Sequence, residues 1–337
     1  MQPLVSIIVP ARNEEASLAT CLDSLIAQTG VSFETIVVDD HSTDRTREIA
    51  QSFTGIRLID AGPLPDRWTG KNNAVAAGAR AARGQWLLFT DADTLHLAGS
   101  LARALQEAEE NHADFLSYSP EQIAVTFWEM ATLPVVFAEL ARQYPPSKVS
   151  DPASTAAAAN GQYILVKRDV YDSVGGHAAV ASHILEDVAL ARAVKASGHR
   201  IRFRYAADAV RTRMYRNYAQ LRDGWTKNLA LLFPNPGRLA LWMLSWWFLA
   251  WLVFPIGVSS IALRYWDSVV FLLPWIFLAI RISRAHFGIK MTLIALAFGL
   301  PMFAYLLLRS KRAHANGSLT WKGRTYSEKG SLLAAGH

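Results

Sequence analysis

The stretch Trp86-Leu87-Leu88-Phe89-Thr90-Asp91-Ala92-Asp93-Thr94 carries the strongest signal for the fold of this chain. Its first four residues are apolar and are followed by polar ones, which is the pattern of a short buried strand. Asp91 and Asp93 follow where that strand ends. Mg²⁺ and Mn²⁺ prefer oxygen ligands and are commonly shared between protein carboxylates and substrate phosphates. The stretch therefore predicts a metal site, although Asp-x-Asp is also a common polar exit from a strand.

The segments before this stretch alternate between strand and helix patterns. Leu4–Val9, Thr35–Val38 and Ile56–Ile59 are short apolar runs, and helical periodicity lies between them. Strand and helix in alternation are typical of an open, mostly parallel α/β sheet. The sequence therefore predicts an α/β fold with a Rossmann-like, mostly parallel sheet.

The first predicted helix is defined by four apolar residues at helical spacing. Leu18, Leu22, Leu25 and Ile26 recur at i, i+4, i+7 and i+8, so all four are predicted to face the sheet. Asn13 precedes two acidic residues and is the predicted N-cap. We therefore expect a helix that begins soon after Asn13 and packs on the sheet through one face.

Polar residues follow three of the predicted strands. Pro10-Ala11-Arg12 ends the first strand, Asp39-Asp40 the second and Asp91-Ala92-Asp93 the fourth. Ligands of open α/β sheets bind beyond the carboxyl ends of the strands, so these segments are predicted to form one site. Asp39 and Asp40 allow two interpretations. They are either ordinary turn residues or acceptors for hydrogen bonds from a nucleobase or a ribose.

A loop at Pro65–Asn73 leads into an alanine-rich helical segment, Ala74–Ala82. Gly70 lets the backbone approach a ligand, and Lys71 places a positive charge near a helix N-terminus, which is a natural anion site. We predict that Lys71 contacts a phosphate; a solvated loop lysine is the alternative.

Glu186 and Asp187 stand in the first turn of a later predicted helix. Acidic residues are common there because they suit the helix dipole. A carboxylate at such a junction can also act as a general base, and Asp187 is the candidate. Acceptor contacts are predicted for the polar loop residues Asn160, Gly161, Gln162 and His183.

The last third of the chain has the composition of a membrane region. The chain has 337 residues, 51% of them hydrophobic, and the apolar excess lies after residue 238. Leu239–Leu263 and Met291–Leu308 carry no charge and are long enough to cross a bilayer, whereas Ser268–Ile280 is shorter. We predict a soluble domain over residues 1–236, two or three membrane helices over 237–310 and a basic, cytosolic tail over 311–337.

The charge pattern indicates which classes of binding partner to expect. The net charge is +6, and basic residues border the apolar segments, which favours a membrane surface or an anionic substrate. The cationic segment Arg211–Leu232 is either a surface anchor or a holder of a diphosphate. No motif indicates nucleic-acid binding. Cys21 is the single cysteine, which fits a reducing compartment, and no signal-peptide pattern opens the chain. We therefore predict a multi-pass protein of the cell inner membrane whose catalytic part faces the cytoplasm.

Two sets of segments carry a family resemblance. The first set is Ser6–Glu14 (SIIVPARNE), Val37–Asp44 (VVDDHSTD), Thr90–Asp93 (TDAD) and Glu186-Asp187. In this order they resemble the signature of family 2 glycosyltransferases of the GT-A fold. The second set is Arg67–Lys71, Arg213–Tyr215, Asp223–Lys227 and Trp321–Tyr326. It resembles the membrane members that glycosylate lipids, such as the carotenoid (diaponeurosporenoate), hopanoid-associated and ceramide glycosyltransferases.

The resemblance implies an inverting transfer of a sugar from a nucleotide-sugar, a UDP-sugar, to a lipid hydroxyl on a carotenoid, hopanoid or sphingolipid-like acceptor. It implies that Asp91 and Asp93 hold Mg²⁺ or Mn²⁺ and that Asp187, beside Glu186, deprotonates the acceptor. The implied donor contacts are Pro10, Arg12, Glu14, Asp39, Lys71, Asp91, Arg222, Trp225, Lys227, Lys322 and Arg324.

Processive relatives carry Gln-x-x-Arg-Trp, whereas Gln220–Trp225 here has an extra residue, so we predict transfer of one sugar. The alternatives are transfer to polyprenyl phosphate and a catalytically silent binding module. A nucleotidyltransferase is disfavoured because Pro10–Glu15 is acidic rather than rich in glycine and lysine. A cytosolic tail would let Lys322 and Arg324 fold over the diphosphate.

Overall fold

The computed structural model describes residues 2–262, 270–317, 319–321 and 324–326. The chain forms two compact units, each made of two chain segments. The first contains Met1–Ile123 and Tyr144–Met214, and the second contains Ala124–Gln143 and Tyr215–His337. The division differs from the predicted boundary at residue 236 in two ways, because the second unit begins at Tyr215 and because Ala124–Gln143 belongs to it as well.

The described strands of the first unit are, in chain order, β1 (Val5–Ala11), β2 (Phe33–Asp39), β3 (Ile56–Asp60), β4 (Trp86–Phe89), β5 (Thr94–His96), β6 (Phe115–Ser119), β7 (Glu121–Gln122), β8 (Ile164–Lys167), β9 (Ile201–Tyr205) and β10 (Val210–Thr212). Its helices are α1 (Leu18–Ile26), α2 (Thr46–Gln51), α3 (Gly70–Ala81), α4 (Ser100–Glu110), α6 (Pro146–Ser150), α7 (Arg168–Ser173), α8 (Gly176–Ala179) and α9 (Glu186–Ala196). Helix α5 (Phe127–Gln143) belongs to the second unit.

A seven-stranded sheet of order β3-β2-β1-β4-β8-β6-β9 forms the centre of the first unit. Every neighbouring pair is parallel except the two that involve β8. In the register, Ile8 of β1 pairs with Ile36 of β2 and with Phe89 of β4. The carboxyl ends of these three strands therefore lie side by side. The predicted mostly parallel α/β sheet is confirmed.

Helix α1 packs on the sheet through the predicted face, with two differences. Leu18, Leu22 and Leu25 are fully buried, but Ile26 is 45% exposed at the end of the helix. The helix begins at Leu18, so the prediction of Asn13 as its N-cap is wrong. Asn13 instead has a left-handed φ of 53° and accepts a hydrogen bond from the Thr43 N–H. This contact ties the loop after β1 to the loop after β2.

Three short strands form a second sheet of order β5-β10-β7 in the same unit. Residues 91–93 form the turn between β4 in the large sheet and β5 in the small one. The two predicted metal ligands therefore lie where the chain passes from one sheet to the other.

The second unit is helical. Its helices are α5 (Phe127–Gln143), α10 (Tyr218–Leu232), α11 (Pro236–Ala262), α12 (Leu273–Ser283), α13 (Ile289–Ile294) and α14 (Leu300–Ala315), and a π-helical segment, Ala295–Gly299, joins the last two. A hairpin of β11 (Leu319–Trp321) and β12 (Arg324–Tyr326) follows.

Two buried glutamates in α5 have structural partners. The Glu129 carboxylate accepts hydrogen bonds from the N–H groups of Val125 (3.2 Å) and Thr126 (2.6 Å), which is the geometry of a capping box. The Glu139 carboxylate, only 1% exposed, forms an ion pair with Arg281 of α12 and another with Arg142. Both acids are therefore explained by helix capping and by pairing within the unit.

Two helical stretches are long and apolar enough to cross a membrane, Pro236–Ser259 and Ile289–Ala315. Little of the first is buried within the protein (17%), whereas half of the second is buried. A shorter apolar helix lies at Val270–Ser283. These helices coincide with the three predicted apolar segments, of which residues 263–269 lie outside the described part of the chain.

Candidate active site

The candidate site lies in the first unit, at the carboxyl ends of β1, β2 and β4. The Arg12 guanidinium donates a hydrogen bond of 2.6 Å to the Asp40 carbonyl, which joins the loops after β1 and β2. The Glu14 N–H donates to Thr46 Oγ1 across the same gap (2.7 Å). Arg12 and Glu14 thus border the edge at which they were predicted, and Pro10 is half-buried within β1.

Asp39 and Asp40 are both buried at the end of β2. Asp39 Oδ1 accepts a hydrogen bond from the Ser42 N–H (3.2 Å), and its Oδ2 lies 3.4 Å from the Arg47 guanidinium. Asp40 Oδ1 lies 3.4 Å from the His41 ring. The turn chemistry is therefore present, and Asp39 also stands at the strand end where a donor is predicted to bind.

Lys71 connects two carboxylates that are far apart in the sequence. Its Nζ lies 2.8 Å from Asp91 Oδ1 and 2.8 Å from Glu186 Oε1. Burial acts to lower the pKa of the Lys71 ammonium, but the two carboxylates outweigh it and raise the pKa well above its ordinary value. Lys71 therefore remains charged, and it links the β4 turn to the start of α9.

Two asparagines fix the position of Lys71 at the start of α3. Asn72 Nδ2 donates to the carbonyl oxygens of Val180 (3.0 Å), Ala181 (2.9 Å) and His183 (3.1 Å). Asn73 Nδ2 donates to the Ala61 carbonyl at 3.1 Å. The sequence pattern does not identify these residues, although two asparagines directly after Lys71 in an alanine-rich helix are a usable signal.

Asp187 is held by backbone donors on both of its oxygens. Oδ2 accepts from the Gly161 N–H (2.9 Å) and Oδ1 from the Val188 N–H (2.8 Å). Burial, followed by the charge of Glu186, raises the pKa of Asp187 to about 6 in spite of these donors. A carboxylate with a pKa close to the working pH is suited to accept a proton.

Gly161 lies against this charged cluster. A Cβ at this position would be 3.0 Å from Lys71 Nζ and 3.5 Å from oxygens of both Glu186 and Asp187. The absence of a side chain at Gly161 therefore leaves room for the ammonium and the two carboxylates to lie together.

Gln162 is buried in a network that supports the Asp91–Asp93 turn. Its Nε2 donates to Thr212 Oγ1 (3.1 Å), and Thr212 donates to the Asp93 carbonyl (3.1 Å). Its carbonyl accepts from Thr90 Oγ1 (2.9 Å), which also contacts His96 Nε2. Burial lowers the pKa of His96 to about 3, so this ring is neutral. Gln162 was predicted to contact the acceptor, but its side chain instead holds the turn in place.

The other predicted acceptor residues lie around Asp187. Asn160 is half-buried, and its Oδ1 accepts from the Gln162 N–H at 3.0 Å. His183 is exposed just before α9, and its carbonyl is one of those bound by Asn72. Contact of Asn160, Gly161 and His183 with an acceptor stays a prediction.

The side chains at this site can hold a metal ion only if oxygen atoms of a substrate complete its coordination. Within residues 2–262 and 270–317 no group of three or more His, Cys, Asp or Glu side chains is placed to hold a metal ion. Asp91 and Asp93 offer two carboxylates, which is the usual protein share of a Mg²⁺ site completed by substrate phosphates. They fit an ion shared with a bound diphosphate.

The remaining predicted donor residues belong to the second unit. Arg222 and Lys227 lie on α10, half-buried. Trp225 is buried between the rings of Tyr215 and Phe137, so it is a packing residue of that unit. Lys322 lies outside the described residues, and Arg324 is described only as part of β12.

A mostly parallel sheet with carboxylates at its strand ends, and with Lys71 at the start of the helix before β4, is consistent with the GT-A fold of glycosyltransferases. Residues 6–175 match the family model described as glycosyl transferase family 2, so the chain belongs to that family.

Relatives agree with this assignment. The 4,4'-diaponeurosporenoate glycosyltransferase of Staphylococcus aureus (strain USA300) is 27% identical over an alignment of 337 positions. The alignment covers 96% of this chain and 88% of the relative. The protein of that name from strain MRSA252 is 28% identical with the same coverage. Mannosyltransferase PcManGT from Pyrobaculum calidifontis, in complex with GDP-Man and Mn²⁺, matches with a TM-score of 0.54 at 18% identity. That match covers 93% of this chain and 87% of PcManGT and supports the fold.

Proposed function

We propose that this glycosyltransferase moves one sugar from a UDP-sugar to the hydroxyl group of a membrane lipid, with inversion at the anomeric carbon. The observation that carries the proposal is the Asp187 carboxylate, held by two backbone N–H groups beside the Lys71–Glu186 pair at the ligand-binding edge of the sheet. A lipid acceptor is also supported by relatives named for a carotenoid-type substrate and by the two long apolar helices.

In the proposed reaction the acceptor oxygen forms a bond to the anomeric carbon while the bond from that carbon to the diphosphate breaks. Asp187 takes the proton of the acceptor hydroxyl. Gly161 and Val188 hold its two oxygens, so the carboxylate does not need to reorient. A single displacement at carbon inverts its configuration.

Lys71 and Asp39 act on the donor. Lys71 places its ammonium beside Asp91, where it attracts the diphosphate, and Asp39 at the end of β2 accepts hydrogen bonds from the nucleoside. Asp91 and Asp93 would hold Mg²⁺ or Mn²⁺, which would neutralise negative charge on the departing diphosphate. A Mn²⁺-bound structural relative, PcManGT, is consistent with this ion.

The acceptor is proposed to be a hydroxyl because a hydroxyl, unlike a carboxylate or a phosphate, needs the base that Asp187 is proposed to supply. The Staphylococcus aureus relatives are named for 4,4'-diaponeurosporenoate, a carboxylate, and a carboxylate or phosphate acceptor would have no proton to remove at neutral pH. In the proposed placement α11 and the α13–α14 stretch span the inner membrane and the first unit lies in the cytoplasm.

The proposal is tested with the purified full-length protein in detergent, supplied with a panel of nucleotide-sugars and with or without total lipid extract. We expect release of UDP from one UDP-sugar, stimulated by the lipid extract and abolished by EDTA. Release from GDP-sugars alone would contradict the donor assignment. Absence of turnover with every donor, in an assay where a known family member is active, would favour a silent binding module.

A further inference from the structure

A cavity of about 480 Å³ lies between α10 and α14 within the second unit. Four cations and one carboxylate face it, together with a threonine: Arg222, Lys227, Arg309, Arg312, Asp223 and Thr226. Positive charge therefore exceeds negative charge in its lining, and this indicates an anionic ligand.

Contacts between the two helices fix several of these groups. Asp223 binds Arg222 through both oxygens, at 2.7 and 3.1 Å, and lies 3.8 Å from Arg309. Arg309 Nε also donates to Thr226 Oγ1 at 3.2 Å. The Asp223 carboxylate thus lies close to the guanidinium groups of both Arg222 and Arg309. It holds these groups in place, so that their other N–H groups can donate to an acceptor such as a phosphate.

The cavity lies where α14 changes from apolar to basic. Tyr305 and Leu308 also line it, are 43% and 37% exposed, and end the apolar part of the helix. Arg309, Lys311 and Arg312 follow directly. Tyrosine and basic residues at the end of a long apolar helix are typical of the depth at which lipid headgroups lie.

We propose that this cavity binds the phosphate of an anionic lipid headgroup, with the lipid chains along the apolar surface at Tyr305 and Leu308. A lipid is favoured over a nucleotide because Tyr305 and Leu308 continue the cavity onto the apolar part of α14. The proposal goes beyond sugar transfer: it rests on the membrane placement of α14 and requires no turnover.

The test measures lipid binding to the full-length protein in a neutral detergent by native mass spectrometry, with phosphatidylglycerol and phosphatidylcholine as the probes. We expect preferential binding of phosphatidylglycerol. Arg312→Gln should weaken it about fivefold, and Arg309→Gln/Arg312→Gln about 25-fold, from the usual contribution of one basic side chain to an anionic lipid. Lys311→Gln is the matched control, because Lys311 carries the same charge on the same helix but does not line the cavity.

Four results would overturn the proposal. Equal binding of the two lipids would remove the anionic specificity, and equal weakening by Lys311→Gln and Arg312→Gln would indicate diffuse surface charge. Displacement of phosphatidylglycerol by UDP, at concentrations where inorganic phosphate leaves the lipid bound, would assign the cavity to the nucleotide. If inorganic phosphate binds as tightly as the lipid, the ligand is a free anion. Because no assay here measures turnover, failure of this proposal leaves the proposed reaction untouched.

Discussion

Replacing Asp187 by asparagine removes the proposed base with little change of shape. The amide keeps one oxygen, which can accept from the N–H of Gly161 or of Val188, but it cannot take a proton. The same substitution leaves Lys71 paired with Asp91 and Glu186. We therefore expect donor binding to persist while proton removal fails.

The expected loss follows from the role assigned to Asp187. A positioned general base contributes about 10²- to 10⁴-fold to a rate, so kcat of Asp187→Asn should fall by that factor with little change in KM for the donor. The pKa of about 6 adds a pH dependence to the wild-type enzyme. About a tenth of the base is deprotonated at pH 5 and nearly all of it at pH 7.5, so the rate should rise about tenfold across that interval.

The assay is the initial rate of UDP release with saturating donor and lipid, from pH 5 to pH 8. Asp172→Asn, which alters an exposed carboxylate of the same unit, is the control and should keep both the rate and the pH profile. A rate for Asp187→Asn within threefold of the wild type, or an unchanged rise with pH, would refute the role of Asp187. A near-wild-type rate would favour a phosphate acceptor such as polyprenyl phosphate.

Three further predictions concern the same cluster. Because the pKa of Asp187 is raised above its unfolded value, its stabilising contribution is present below about pH 4 and is lost as the pH rises through about 6. At pH 8 the free energy of unfolding of Asp187→Asn should therefore exceed that of the wild type by about 2–3 kcal/mol at most, with a higher melting temperature. At pH 4 the two proteins should melt at the same temperature; a lower melting temperature of the variant at pH 8 would contradict the shift. Gly161→Ala should fold normally but lose up to about tenfold in rate, since its Cβ would lie 3.0 Å from Lys71 Nζ and shift the ammonium slightly; an unchanged rate would show that the lysine position is not critical. Asn72→Ala should cost about 1–3 kcal/mol of stability and lower the rate as well, because three carbonyl oxygens lose their donor; thermal unfolding and UDP release measure the two effects, and a rate loss without destabilisation would contradict this structural role.

The sequence predicts the elements whose pattern is local and strong. Strands β1 to β4 are short, mostly apolar runs and α1 has a clear helical period, so the sheet and its ligand-binding edge follow from general rules. The residues of that edge follow as well, because Arg12, Asp39, Asp91 and Asp187 stand directly after strands or at the start of a helix.

The side-chain partners within the site depend on distances that the sequence does not contain. Lys71, Asp91 and Glu186 are separated by up to 115 positions, and no periodicity relates them. Gln162 illustrates a second limit, because the sequence does not reveal that this predicted acceptor contact is buried and bonded beneath the Asp91–Asp93 turn. The strands β5, β7 and β10 are three residues or shorter, too short for alternation to reveal them.

The second unit shows a different limit. Glu129 and Glu139 interrupt an apolar segment and complicate its interpretation as an interfacial or a core helix. One acid caps its own helix and the other pairs with Arg281, which lies 142 positions away. The capping box could be found from Thr126 and Glu129 alone, whereas the ion pair depends on how α5 and α12 pack.

The most direct test of the account is the mass of the lipid product. The full-length protein is incubated with its UDP-sugar and total lipid extract, and the lipids are analysed by mass spectrometry before and after mild acid treatment. We predict one new lipid that carries a single sugar in an acid-stable glycosidic linkage to a hydroxyl, formed by the wild type and not by Asp187→Asn. A series of products with repeated sugar increments, or a sugar released by mild acid from a phosphate, would contradict the account.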